Sequence, residues 1–157
     1  MGRIYAEFLG GPRAVALLFL RLVAGFAMMH HGWPKIQSPT AWMGPEAPVP
    51  GILQALAAIS EFGGGLAWVL GALTPLFSLG LIGTMAFATF LVHIRMGHPF
   101  VADPTSHGPS YEPALGYLAI AFLFLIVGPG RISVDYLLFG KPKAIDSVLA
   151  DDVELPA

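Results

Sequence analysis

The fold is decided by residues 52–94, which read ILQALAAISEFGGGLAWVLGALTPLFSLGLIGTMAFATFLVHI. Glu61 is the only residue in this stretch that carries a formal charge at neutral pH. The stretch is about twice as long as the roughly 20 residues that cross a hydrocarbon core as a helix. Thr74 and Pro75 interrupt it near the middle, where proline favours a turn or a helix start. The stretch therefore predicts two membrane-spanning helices, 52–73 and 76–94, joined by a tight turn.

Working outward, two more apolar segments flank this hairpin, at residues 13–31 and 113–127. All four segments are continuously apolar, without the polar alternation of a membrane β-barrel strand. A helix also satisfies its own backbone groups in lipid. We therefore predict an all-α integral membrane four-helix bundle with both termini on one side. Residues 1–140 would form a single transmembrane domain, and residues 141–157 a polar tail.

Two glycines around a proline at residues 128–130 end the fourth helix. The segment 131–139 that follows is predicted to be a short helix lying in the membrane surface. Ser133 is placed to cap it, and Asp135 would suit its first turn.

Composition agrees with a membrane location. Of the 157 residues, 55% are hydrophobic and only 11% are charged, against about 25% charged in soluble domains. The eight Lys and Arg residues form no basic patch, so nucleic acid is not an expected partner, whereas the lipid bilayer is. The chain has no cysteine, which excludes thiol catalysis and thiolate metal sites within it.

The N-terminus and the distribution of cations predict how the chain sits in the membrane. The apolar segment after Arg13 resembles a signal peptide, but no small-x-small cleavage site follows it, so we expect a retained first span. Excess Lys and Arg mark the cytoplasmic side. Both termini are therefore predicted to be cytoplasmic in a bacterial inner (plasma) membrane. The cations on the side of the termini would be Arg3, Arg13, Arg131, Lys141 and Lys143, against Lys35 and Arg95 on the other.

Two charged residues lie inside the predicted spans, Arg21 in the first and Glu61 in the second. A charge at the centre of a membrane helix costs at least about 2.5–3.5 kcal/mol, so the two are expected to form a buried pair. Such a pair either only fixes helix packing, or it lines a site for a polar head group or carries protons. Lys35 would return to the same helical face as Arg21 if the helix continues past Pro34, or it would mark the outer boundary by snorkelling.

The five histidines gather on the outer side of this topology: His30, His31, His93, His98 and His107. Imidazole can bind zinc or copper, or donate a hydrogen bond to a quinone carbonyl. Their spacing matches no established ligand motif, so three interpretations stay open: interfacial polar residues, a polar ligand such as a quinone, or a metal site formed by His30, His31, His93 and His98. The chain contains no phosphate-binding loop, nucleophile elbow or HExxH motif that would identify an enzyme.

Several short motifs occur in order along the chain. The first span contains LRLVAG at 20–25 and closes with HGWPK at 31–35, and EFGG at 61–64 and LGALT at 70–74 follow. These motifs resemble those of the DoxX family, in which the last two correspond to a Glu-x-Gly-Gly motif and a Leu-Gly-x-x-Thr turn. GPGRISVD at 128–135 is similar to the family's closing motif. The resemblance covers about residues 13–136 and implies a four-helix inner-membrane bundle, in a family that includes subunits of quinone-linked oxidation systems and helpers of membrane complexes.

Three functional hypotheses follow. In the first, the chain is a small membrane subunit or partner of a redox system, with quinone as a candidate ligand and Arg21, Glu61, His31 and Lys35 lining a polar site near His93. In the second, it is a non-catalytic scaffold or assembly subunit that docks on other membrane or redox protein subunits, or on copies of itself. In the third, it is a small transporter or metal-handling protein.

Overall fold

A computed structural model describes residues 7–105 and 108–140 of the chain. Within these residues all regular structure is helical. Helix α1 spans Pro12–Ile36, α2 spans Gly51–Leu70, α3 spans Thr74–His93, α4 spans Glu112–Val127 and the short α5 spans Val134–Phe139. The predicted polar tail 141–157 lies outside the described residues, as do Arg3 and His107.

The predicted spans agree with these helices. Helices α1, α2 and α3 are each long and apolar enough to cross a membrane, and α4 is a shorter apolar helix of 16 residues. The main difference is the end of α1. The helix continues through Pro34 to Ile36 instead of ending at His31. This extension keeps Lys35 on the helix, which decides the geometry of the site described below.

The α2–α3 hairpin has the tight turn that the Thr74–Pro75 interruption predicts. Gly71 and Leu73 adopt left-handed backbone conformations, with φ of 65° and 49°. The two helices are then held together by a hydrogen bond from Trp68 Nε1 to Ser78 Oγ at 3.0 Å. Trp68 is fully buried and contacts the ring of Phe124 on α4 edge-on, at a centroid distance of 5.0 Å. The α2–α3 hairpin therefore packs on α4 through the contact between the Trp68 and Phe124 rings.

Close approach of α1 and α2 depends on glycine. A Cβ atom on Gly25 would lie 2.7 Å from the carbonyl oxygen of Gly65, and one on Gly32 would overlap the backbone of Phe62. Small residues at such contacts let helices pack closely in lipid, where no hydrophobic effect drives them together. These contacts fix the register of the two helices. The buried apolar core beside them comprises Leu17, Ala24, Met28, Trp68, Leu81, Met85, Leu118, Ala121 and Phe124.

Helix α5 begins as predicted from the sequence. The Ser133 hydroxyl accepts a hydrogen bond from the Tyr136 backbone N–H at 3.1 Å, which is an N-cap. The preceding Arg131 donates its backbone N–H to the carbonyl of Leu9, at the start of α1. The start of α1 and the chain after α4 therefore meet at one end of the bundle.

Two helices contain π-helical turns, which the sequence did not predict. One covers Ile59–Gly63 in α2, and the other covers Phe87–His93 at the end of α3. A π-turn inserts one extra residue into a helix and occurs often at functional sites. The first of these turns carries Glu61, so the charged residue of α2 stands at a local irregularity of the backbone.

Candidate functional site

The charged residue of α2 is paired with Lys35 of α1. Lys35 Nζ lies 2.5 Å and 2.6 Å from the two carboxylate oxygens of Glu61, and it donates to both. The Glu61 side chain is 3% exposed and that of Lys35 is 24% exposed. The Glu61 side chain is thus enclosed by protein, whereas part of the Lys35 side chain is exposed.

The predicted pair between Arg21 and Glu61 is wrong. The glycine contacts place Gly32 beside Phe62, so Glu61 lies level with the last turns of α1. Arg21 precedes Gly32 by about three helical turns, which is roughly 16 Å along the axis. That separation exceeds the combined reach of the two side chains, whereas Lys35 lies within one turn of the Gly32 level.

Arg21 instead binds the segment that follows α4. Its guanidinium donates to the carbonyl oxygens of Pro129, at 3.2 Å, and Ile132, at 2.7 Å, and the residue is 1% exposed. The guanidinium also packs against Gly71, where any Cβ atom would overlap it. Arg21 therefore fastens the closing GPGRISVD segment and the α2–α3 turn to α1.

Asp135 belongs, with Arg21, to a second polar cluster beside the α2–α3 turn. This role of Asp135 was not predicted from the sequence. Its carboxylate accepts the backbone N–H groups of Leu73, at 2.7 Å, and Thr74, at 2.9 Å, although the residue is fully buried. Its own N–H donates to the carbonyl of Gly71 at 2.8 Å. Leu73 precedes α3 and its side chain has no oxygen that could accept the first N–H groups of the helix. The available signal in the sequence was therefore that these groups need an acceptor from elsewhere in the chain.

The loop after α1 folds over the Lys35–Glu61 pair. Gln54 of α2 is 3% exposed and holds the loop at two points: its amide donates to the Val49 carbonyl at 2.8 Å, and its side-chain oxygen accepts the Met43 N–H at 3.1 Å. Trp42 donates its indole N–H to the Gln54 carbonyl, and its ring centroid lies 4.6 Å from Lys35 Nζ. The Trp42 ring therefore covers one side of the ammonium by a cation–π contact.

A cavity of about 560 Å³ opens beside the ion pair. Its walls come from the loop, α2 and α3, and are mainly apolar, with Gln54, Ser60 and Thr84 as further polar residues. Several wall residues are also exposed on the outer surface of the bundle: Leu53, Leu56, Leu79 and Phe87 are 50%, 53%, 58% and 42% exposed. Apolar side chains therefore form the mouth of the cavity.

The other predicted site residues lie apart from this cavity. His31 contacts the Tyr117 ring edge-on at a centroid distance of 5.9 Å, and His93 Nδ1 lies 2.9 Å from His98 Nδ1, which is a hydrogen bond between the two rings. His30 is exposed. Within 7–105 and 108–140 no three His, Asp or Glu side chains come together as a metal site would require. Of the predicted polar site, the structure brings Lys35 and Glu61 together, and Arg21 lies in the other cluster.

Chemically, the cavity combines an apolar volume with a single ion pair at its wall. Pockets for small molecules are typically about 300–1,000 Å³, mostly apolar, with a few placed polar groups. The ammonium can donate to an oxygen atom of a ligand, and the carboxylate can accept a proton. The arrangement suits an amphiphilic molecule with an oxygen-bearing head.

Comparison with known proteins gives one family. The model of the DoxX family matches residues 16–94. The chain is similar to the inner membrane protein YqjF of Escherichia coli, with 31% identity over 81% of this chain and 95% of the relative. It is also similar to an uncharacterized protein of Haemophilus influenzae, with 28% identity over 82% of this chain and 95% of that protein. No solved structure matches the chain.

Proposed function

The chain belongs to the DoxX family of membrane proteins, and on that premise we propose that it is a small subunit of a redox system in the bacterial inner membrane, whose cavity beside Lys35 and Glu61 binds a quinone-type ligand. The observation that carries the proposal is the apolar cavity of about 560 Å³ with one ion pair in its wall. A quinone has an apolar ring and tail and two carbonyl oxygens, and these properties match the two parts of the cavity.

The orientation of the ligand follows from the positions of the wall residues. The ring would lie beside the Lys35 ammonium, which donates a hydrogen bond to one carbonyl oxygen. The tail would pass between Leu53 and Leu79, which are half exposed at the mouth of the cavity, and continue into lipid. This route lets a ligand dissolved in the bilayer enter sideways between α2 and α3, without crossing the water.

The location and the partners are part of the same proposal. The relative from Escherichia coli is named an inner membrane protein, and the excess of cations near the two ends of this chain favours cytoplasmic termini. The Lys35–Glu61 pair would then lie toward the periplasmic side of the membrane. Electrons for the quinone would come from another redox protein that docks on this subunit.

The experiment is quinone binding to the purified protein in a mild detergent, followed by quenching of tryptophan fluorescence. A benzoquinone with a ten-carbon tail is the probe, because Trp42 lies over Lys35 and reports on the cavity. Gly83→Phe should abolish saturable quenching, since Gly83 lines the cavity and no atom lies within 4 Å of its Cβ position. Gly116→Phe on α4 is the matched control, because Gly116 is equally open but lies outside the cavity wall. Saturable quenching that persists in Gly83→Phe, or none in the unmodified protein, would refute the proposal.

A further inference from the structure

The two members of the ion pair differ in exposure. Both contribute to the cavity wall, but the Lys35 side chain is 24% exposed and that of Glu61 only 3%. The more accessible member of the pair is therefore the positive one. An ammonium in an apolar cavity attracts a head group that carries negative charge on oxygen, more than a neutral one.

Among the described residues of the cavity wall, Lys35 is the one cation beside Glu61. Of the described residues that line the cavity, Lys35 and Glu61 are the only titratable ones. Wall residues from α3 and from the loop are apolar or uncharged, such as Leu79 and Thr84 on α3 and Trp42 in the loop. If an anionic ligand accepts the hydrogen bonds of Lys35 Nζ, the Glu61 carboxylate loses its counter-ion in an environment of low dielectric constant. Under those conditions the protonated, neutral form of the side chain is favoured.

We propose, building on the proposed ligand cavity, that the site takes an amphiphile with an anionic head group, and that its binding is coupled to the uptake of one proton by Glu61. In the free protein Lys35 donates to the Glu61 carboxylate. In the complex Lys35 donates to the head group of the ligand, and Glu61 carries the proton. One anion and one proton enter together, so the net charge of the site does not change.

The test uses decanesulfonate, a ten-carbon amphiphile that stays anionic at every accessible pH. Its dissociation constant for the detergent-solubilised protein should rise about tenfold for each pH unit, because one proton binds with it. Calorimetry in two buffers of different ionisation enthalpy should count one proton taken up per ligand. In Gly83→Phe the new side chain fills the cavity, so the signal from this variant comes from partitioning of decanesulfonate into detergent. This background is subtracted.

Glu61→Gln separates the coupling from a structural role, because glutamine has the shape of the protonated acid. This variant should bind decanesulfonate with no pH dependence and no proton uptake, and above neutral pH more tightly than the unmodified protein. A variant that merely loosens the fold would bind more weakly. Glu46→Gln, in the exposed part of the loop, should behave like the unmodified protein.

The outcomes distinguish this inference from the proposed function. If the neutral quinone binds but decanesulfonate does not, or binds with equal affinity from pH 6 to pH 9, proton-coupled anion binding is refuted and the quinone site stands. If decanesulfonate shows the tenfold dependence while the neutral quinone fails to bind, the coupling stands and the quinone proposal is refuted. If neither probe binds, both are refuted.

Discussion

Replacing Asp135 should open one end of the bundle. Its carboxylate accepts the backbone N–H groups of Leu73 and Thr74 from a fully buried position. A hydrogen bond to a charged group contributes about 1.5–3 kcal/mol. Asp135→Ala removes two such bonds, so the free energy of unfolding should fall by about 3–6 kcal/mol. Asp135→Asn keeps one acceptor oxygen and should lose about half of that.

The measurement is reversible unfolding in mixed micelles of a mild detergent and dodecyl sulfate, monitored by fluorescence. Trp68 is a suitable reporter because it is fully buried between α3 and α4. Glu112→Gln is the control: Glu112 is an exposed acidic residue in the first turn of α4, and its replacement should change the free energy of unfolding by less than about 1 kcal/mol. If Asp135→Ala unfolds at the same dodecyl sulfate fraction as Glu112→Gln, Asp135 does not hold this end together.

Three further outcomes follow from the helix contacts and the ion pair. Gly32→Ala should weaken the bundle by several kcal/mol in the same unfolding assay, because the new methyl group overlaps the backbone of the next helix, whereas Gly83→Ala meets no atom within 4 Å and should change little. Lys35→Met should lower the free energy of unfolding by about 3–5 kcal/mol, because it leaves a buried carboxylate unpaired. Adding Glu61→Gln should recover most of this loss, and a double variant as unstable as the single one would contradict this explanation. Gln54→Ala should speed amide hydrogen exchange of the loop 37–50 without changing exchange in α4, and equal protection in both proteins would show that the loop is held by other contacts.

The sequence predicted the helices because their signals are local. Four apolar segments, the Thr74 break and the Ser133 cap each depend on neighbouring residues, and all of them are found in the structure. The length of α1 was underestimated, since Pro34 within a helix is normally a reason to end it.

Which charged residues pair with each other could not be predicted from local sequence patterns. Arg21 and Glu61 were paired because both lie inside a predicted span, but the position of a charge within its own helix does not tell how two helices are shifted along each other. The actual register is set by Gly25 and Gly32 meeting the backbone of α2, and no rule of spacing within one helix gives that. The Asp135 contact joins residues more than sixty positions apart, and the π-turn at Glu61 has no sequence signature of its own.

The π-turn at Ile59–Gly63 has an evolutionary consequence. An α-helix that gains one residue can absorb it as a π-turn and keep both flanks packed, whereas a regular helix would rotate the preceding half by about 100°. Loss of a single codon in this turn would therefore return α2 to a regular helix and leave both Gln54 and Gly65 in their contacts. What would change is the turn itself and, with it, the position of Glu61 relative to Lys35, so a single residue here separates the geometry of the ion pair from the packing of the bundle.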